Sequence, residues 1–192
     1  MKIAITGHED GFGKVIAETF KEKGHEIMGF SLENGYDITD SKNRAAMVPE
    51  INGCDVFINC AYSRDKHDLS QCHLLVEVYE KWQNTSKHII NIGSIAPDFK
   101  RTDYNVDRMM YRGTKGGLDI VSDELSSAGK CRVTNIRPDW MKSKELERLE
   151  QEYQRKAPNP LEYQDVADLI FFIVEMGDKI TITSLTLKGT RT

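Results

Sequence analysis

The sequence has no long apolar run, no paired-cysteine motif and no excess of positive charge. Its longest purely aliphatic and aromatic stretch is LIFFIV at 169–174, far short of the roughly 20 residues that span a bilayer. The opening MKIAITG contains no apolar segment of signal-peptide length, so a cytoplasmic protein is expected. The net charge is -4. Nucleic acid and anionic membrane surfaces both call for a basic partner, so neither is expected. Cys54, Cys60, Cys72 and Cys131 form no C-x-x-C pair and read as reduced thiols. His67, Cys72 and His73 are neighbours in sequence, but a structural zinc site needs four suitably spaced ligands, so no metal site is expected. No Pro/Gly/Ser-rich linker, repeat or low-complexity tract divides the chain. Its 192 residues suit one domain, 1–192, with one sizeable core.

What is present is an alternation of short β-branched runs with helical patterns. Strands are expected at 2–6, 25–31, 54–61, 87–94, 131–138 and 182–189, with a very short one within 34–41. Helices are expected at 14–23, 42–50, 67–83, 108–128, 143–157 and 162–177. Residues 95–107 form a polar loop. Strands alternating with helices imply βαβ units, hence an α/β, doubly wound, mostly parallel sheet covered on both faces.

Two features carry chemistry. In TGHEDGFG, Gly7, Gly11 and Gly13 fall between the first strand and the first helix. Glycines there let the backbone turn tightly and approach a pyrophosphate, and the helix N-terminus offers unpaired N–H groups to it. The second feature is YRGTK, 111–115, a tyrosine four residues before a lysine. That spacing is common by chance, and Tyr62-x-x-x-Lys66 matches it too.

Taken in order, these pieces resemble the short-chain dehydrogenase/reductase family across essentially the whole chain, on a Rossmann-type fold. The glycine loop resembles its T-G-x-x-x-G-x-G. INCAY (58–62) is similar to its N-N-A-G, with Asn59 and Ala61 matching and Cys60 and Tyr62 departing. DITD (37–40) resembles its acidic turn, NIGS (91–94) the strand ending in a catalytic Ser, and NIRPDWM (135–141) the segment after the sixth strand. The resemblance implies a catalytic set of Ser94, Tyr111 and Lys115. It implies cofactor contacts from Gly7, His8, Gly11, Phe12, Gly13, Ser31, Asp37, Ile38, Asn59, Ala61, Tyr111, Lys115 and Pro138. Tyr111 and Lys115 share one helix face. Tyr62 and Lys66 straddle a strand end, where the same spacing has no geometric meaning.

The implied activity is NAD(P)-dependent carbonyl reduction or alcohol oxidation on a small molecule. Ser31 stands where NAD-specific relatives place an acid, which leans the cofactor toward NADP over NAD, although no Arg follows it. The family's relay Asn would align with Asp68, beside His67; neither is Asn. Residues 139–161 occupy the position of a substrate lid. Pairing through helices 67–83 and 108–128 would give a homodimer or homotetramer. Two other readings remain: a catalytically weak dinucleotide-binding regulator or scaffold, favoured by the altered N-N-A-G, and a sugar epimerase or dehydratase, opposed by the small C-terminal region.

Overall fold

The computed structural model describes residues 1–63, 66–99, 105–154 and 156–190. The chain runs β1 (Lys2–Thr6), α1 (Gly11–Glu22), β2 (Glu26–Phe30), α2 (Ser41–Asn52), β3 (Val56–Asn59), α3 (Ser70–Trp82) and β4 (His88–Ile92). A 3-10 turn (Ala96–Asp98) follows, then α4 (Val106–Ala128), β5 (Arg132–Pro138), α5 (Lys144–Tyr153), α6 (Tyr163–Glu175) and β6 (Ser184–Leu187). The six strands form one sheet in the order β2-β1-β3-β4-β5-β6, and every pairing is parallel. This is the doubly wound, Rossmann-type architecture expected from the alternation of elements.

Alternate residues of the inner strands feed two cores. Ala4, Phe57 and Ile89 pack with Met47, Ile51, Leu74, Leu75 and Leu118 of α2, α3 and α4. Ile3, Ile5, Val56, Ile58 and Ile90 pack with Ile16, Phe20, Val166 and Ile170 of α1 and α6. A strand buried on both faces has no polar side, which is why 3–5 and 56–58 read as continuously apolar. Among the described residues no helix is long and apolar enough to cross a membrane.

One expected element is missing. Residues 34–40 are turn, not strand. The Asn34 side chain accepts the Ser31 N–H (2.7 Å) and donates to the Gly29 carbonyl (2.8 Å), Gly35 has φ +90°, and Asp37 Oδ1 accepts the Thr39 N–H (2.8 Å). Side-chain oxygens thus take up the backbone groups that a strand would have paired. INCAY consequently ends the third strand rather than the fourth. Helix α3 begins at Ser70, with His67 before it at φ +43°. The loop expected at 95–107 contains the 3-10 turn, and its residues 100–104 lie outside the described set.

The sheet also holds a row of polar residues. Asn59, Asn91 and Asn135 are in register across β3, β4 and β5. Asn59 Nδ2 donates to Asn91 Oδ1 (3.1 Å), and Asn91 Nδ2 donates to Ser122 Oγ on α4 (3.0 Å). His88, at the other end of β4, is 1% exposed. Thr134 Oγ1 donates to the Ile182 carbonyl (2.6 Å), so its contact with His88 Nε2 (2.8 Å) requires the imidazole to donate from Nε2. Nδ1 is then a bare, buried lone pair with no partner among the described residues.

Burial, reinforced by the Arg132 charge, pushes the His88 pKa down to about 3. The unfolded chain therefore takes up this proton first as the pH falls. The stability that rests on neutral His88 is lost as the pH drops below about 6.5, and the loss is complete near the folded value. From pH 6.5 to 5 the wild type should lose up to about 2 kcal/mol through this one group. His88→Leu should lose correspondingly less, as read from urea unfolding midpoints; parallel curves for the two proteins would rule it out.

Candidate active site

Because every strand is parallel, the C-terminal ends of all of them lie along one edge of the sheet. The strand order reverses between β1 and β3, and open α/β sheets form their ligand crevice at such a point. One wall of the crevice is the turn after β1. Gly7 has φ +72°, a conformation that favours glycine, and its N–H donates to the Phe30 carbonyl (2.7 Å). A Cβ on Gly13 would lie 2.1 Å from the Gly7 carbonyl oxygen, so only glycine lets α1 start this close to the turn. The other wall is the segment after β3. Thr6 Oγ1 accepts the N–H groups of both Cys60 and Ala61 (3.0 Å each), and Ala61 packs against Gly7.

The remaining expected cofactor residues surround these walls. His8 covers Gly29 of β2 so closely that a Cβ there would sit 2.1 Å from the imidazole; its Nε2 pairs with Glu9 (2.9 Å). Ser31 is buried, its N–H and hydroxyl both directed to Asn34 Oδ1. Asp37 is held below the usual carboxylate range, first by the Thr39 N–H and then by the Thr39 hydroxyl and Lys66. Lys66 Nζ lies 3.4 Å from Asp37 Oδ2 and also bonds Thr39 Oγ1. The side chains of Phe12 and Ile38 belong to the two cores, and the Ile38 carbonyl accepts from Arg44 Nη1 (2.9 Å). Pro138 is buried at the end of β5, and its carbonyl accepts the Ile95 N–H (3.2 Å).

Lys115 of the expected Tyr111–Lys115 pair meets the end of β4. Lys115 is 4% exposed. Its Nζ donates to Gln71 Oε1 (2.9 Å) and to the Ile92 carbonyl (2.8 Å). It also lies over the rings of Tyr62 (4.7 Å to the centroid) and Tyr111 (6.0 Å). Burial lowers its pKa to about 8, against the opposing pull of Cys60, Cys72 and Asp119. Tyr111 stands one turn before it on α4. Ser94, also buried, is two residues beyond Ile92, and its Oγ accepts the Ala96 N–H (3.1 Å).

Two residues at this centre were missed in the sequence. The expected relay position, Asp68, instead caps the start of α3 by accepting the Ser70 N–H (3.0 Å). The amide that reaches Lys115 is Gln71, three residues on. Its Nε2 also donates to the carbonyls of Asn59 (2.8 Å) and Ile92 (3.3 Å). A signal was available, since Gln71 is a polar residue on the buried stripe Gln71, Leu74, Leu75, Val78 of α3. The second is Tyr62, set aside above because its spacing to Lys66 lacks helical meaning. That spacing has none here either: Lys66 bonds Asp37 and Thr39, while the Tyr62 ring lies against Lys115. The Tyr62 ring meets Tyr111 edge to face with centroids 5.3 Å apart. An aromatic side chain where the resembled motif has glycine was the available signal.

No family model matches this chain, and no curated protein matches its sequence. Solved structures do match. A 4-hydroxyisoleucine dehydrogenase complexed with NADH shares 17% identity over 100% of this chain and 98% of that one, with TM-score 0.79. The closed form of a serine dehydrogenase complexed with NADP+ shares 19% over 97% and 94%, with TM-score 0.75. A 3-ketoacyl-(acyl-carrier-protein) reductase from Brucella melitensis complexed with NADH shares 19% over 99% and 97%, with TM-score 0.74. At these identities the likeness shows that the fold of such dehydrogenases and reductases is shared over the whole chain.

Gln71→Leu should test how the centre is held. It leaves the buried ammonium with one oxygen partner and strips a donor from two carbonyls, at a cost of about 3 kcal/mol in urea unfolding. A loss well under 1 kcal/mol would show that Gln71 does not anchor Lys115.

Proposed function

We propose that this protein is an NAD(P)-dependent oxidoreductase that interconverts a carbonyl and an alcohol on a small molecule. The observation that carries this reading is the buried Lys115, one turn after Tyr111 on α4 and bonded to the last carbonyl of β4, on the same sheet edge as a glycine turn where a Cβ on Gly13 would lie 2.1 Å from the Gly7 carbonyl oxygen. That turn fits a dinucleotide. Gly7, Gly11 and Gly13 allow close backbone approach, and the first N–H groups of α1 have no helical partner to occupy them. His8, Ser31, Asp37, Asn59, Ala61 and Pro138 would contribute the rest of the contacts, with Phe12 and Ile38 acting through their backbone. When bound, the nicotinamide would supply or accept the hydride.

The chain's own task is then the proton. Tyr111 would donate it to the substrate oxygen in reduction and accept it in oxidation. A free tyrosine titrates near ~10, and a neighbouring ammonium favours its phenolate, which is the role assigned to Lys115. Ser94 would hydrogen-bond the substrate oxygen, and Lys115 would also hold the nicotinamide ribose. Either NAD or NADP suits the site. The absence of an acid at Ser31 favours NADP, because nothing at that position repels a 2′-phosphate. The four cysteines are free, consistent with a reducing, cytoplasmic setting. Exposed Val76 on α3 and Met109, Met110 and Ile120 on α4 support pairing of copies through these helices.

The test is a fluorescence titration with NADPH and NADH, followed by a screen of carbonyl substrates against Tyr111→Phe. Micromolar binding of at least one nucleotide is expected. Tyr111→Phe should keep that affinity within about threefold while turnover falls by about 100-fold or more. Failure of both nucleotides to bind at millimolar concentration would remove the proposal.

A further inference from the structure

Lys115 has three N–H groups to place. Two are taken by Gln71 Oε1 and the Ile92 carbonyl, and both acceptors belong to the buried frame of the sheet and α3. Among the described residues, the third direction is covered by aromatic rings, of which Tyr62 is the nearer at 4.7 Å. Tyr62 is itself tethered. Its hydroxyl lies 2.9 Å from His67 Nδ1 and 3.2 Å from Thr114 Oγ1. Thr114 already donates to the Tyr111 carbonyl (3.0 Å), so the Tyr62 phenol can donate to one of its partners and accept only from the imidazole. The His67 ring is mostly buried, with Nε2 3.8 Å from the exposed carboxylate of Asp107. A pinned ring therefore closes over the one donor direction that Lys115 has left.

We propose that Tyr62 sets the cofactor affinity of this site: its ring occupies the free face of Lys115, held there by His67 and Thr114, and has to give way before Lys115 can bond a ribose. This rests on the oxidoreductase reading, in which Lys115 holds the nicotinamide ribose. Gln71 and the Ile92 carbonyl cannot yield in place of Tyr62, because each would leave a buried polar group unpaired. Tyr62 is only half-buried, and moving it gives up a cation–π contact and its hydroxyl bonds. The tether thus stabilises the empty protein and opposes binding, so one substitution should shift stability and affinity in opposite directions.

The experiment uses the full chain as wild type, Tyr62→Phe, His67→Asn and Tyr62→Gly, each titrated with NADPH and with NADH. Tyr62→Phe keeps the ring and removes its tether. His67→Asn removes the tether from the other side, and Asn tolerates the left-handed backbone at this position (φ +43°). Both should lower the thermal midpoint of the free protein while tightening the better nucleotide by roughly fivefold, the effect of about one net hydrogen bond. Tyr62→Gly removes the ring and should tighten it by roughly tenfold or more. If the glycine variant fails to fold, the other two carry the test. In the wild type, saturating nucleotide should also shift the His67 ring resonances in NMR, as its bond to Tyr62 breaks. Unchanged or weaker affinity in Tyr62→Phe and His67→Asn, with the wild type still binding, overturns the role of Tyr62 and leaves the oxidoreductase reading intact. Binding by the variants but not by the wild type supports it in its strongest form. No binding by any of the four proteins overturns both.

Discussion

The buried ammonium of Lys115 is the constraint around which the centre is arranged. Taking a cation out of water is costly unless oxygen atoms replace the hydration shell. Here the replacements come from two elements, the Gln71 side chain of α3 and the last carbonyl of β4, while Lys115 itself belongs to α4. One charge therefore ties two helices to the middle of the sheet. The same Gln71 reaches back to the carbonyl of Asn59 at the end of β3. One amide side chain thus ties Lys115 to the ends of both β3 and β4.

A second set of polar ties holds the opposite wall. Thr6, the last residue of β1, caps two N–H groups of the segment after β3 with a single hydroxyl. The Asn59–Asn91–Ser122 chain then carries hydrogen bonding from β3 through β4 to α4. These side chains all cluster toward the C-terminal edge of the sheet, where the strands stop supplying one another with backbone partners. Apart from the buried His88–Thr134 pair at the other end, apolar residues dominate the rest of both faces. Polar groups concentrated at one edge of an otherwise apolar sheet are what a crevice requires, because each can be satisfied locally and still face an incoming ligand.

The fold was legible in the sequence because its cues are local. Alternating β-branched runs and amphipathic stretches are enough to give the order of elements and a parallel sheet. The glycine turn was legible for the same reason, since its constraint lies in the backbone of a few residues. The strand expected within 34–41 failed because Asn34 and Asp37 offer the backbone side-chain partners that propensity alone does not reveal. Gln71 and Tyr62 failed differently. Each matters through residues far away in the chain, Gln71 through Lys115 and Ile92, Tyr62 through Thr114 and Tyr111.

By itself the sequence determined the doubly wound architecture, the place of the glycine turn and the common helical face of Tyr111 and Lys115, because each follows from spacing within one element. Only the tertiary structure decided what surrounds that face. Whether a lysine is solvated or buried, and which oxygens replace its water, depends on how three elements from distant parts of the chain meet. The sequence could not show that an amide of α3 would be the partner of Lys115, or that the tyrosine after β3 would close over that lysine, because these contacts exist only once the sheet has brought the ends of β3 and β4 side by side.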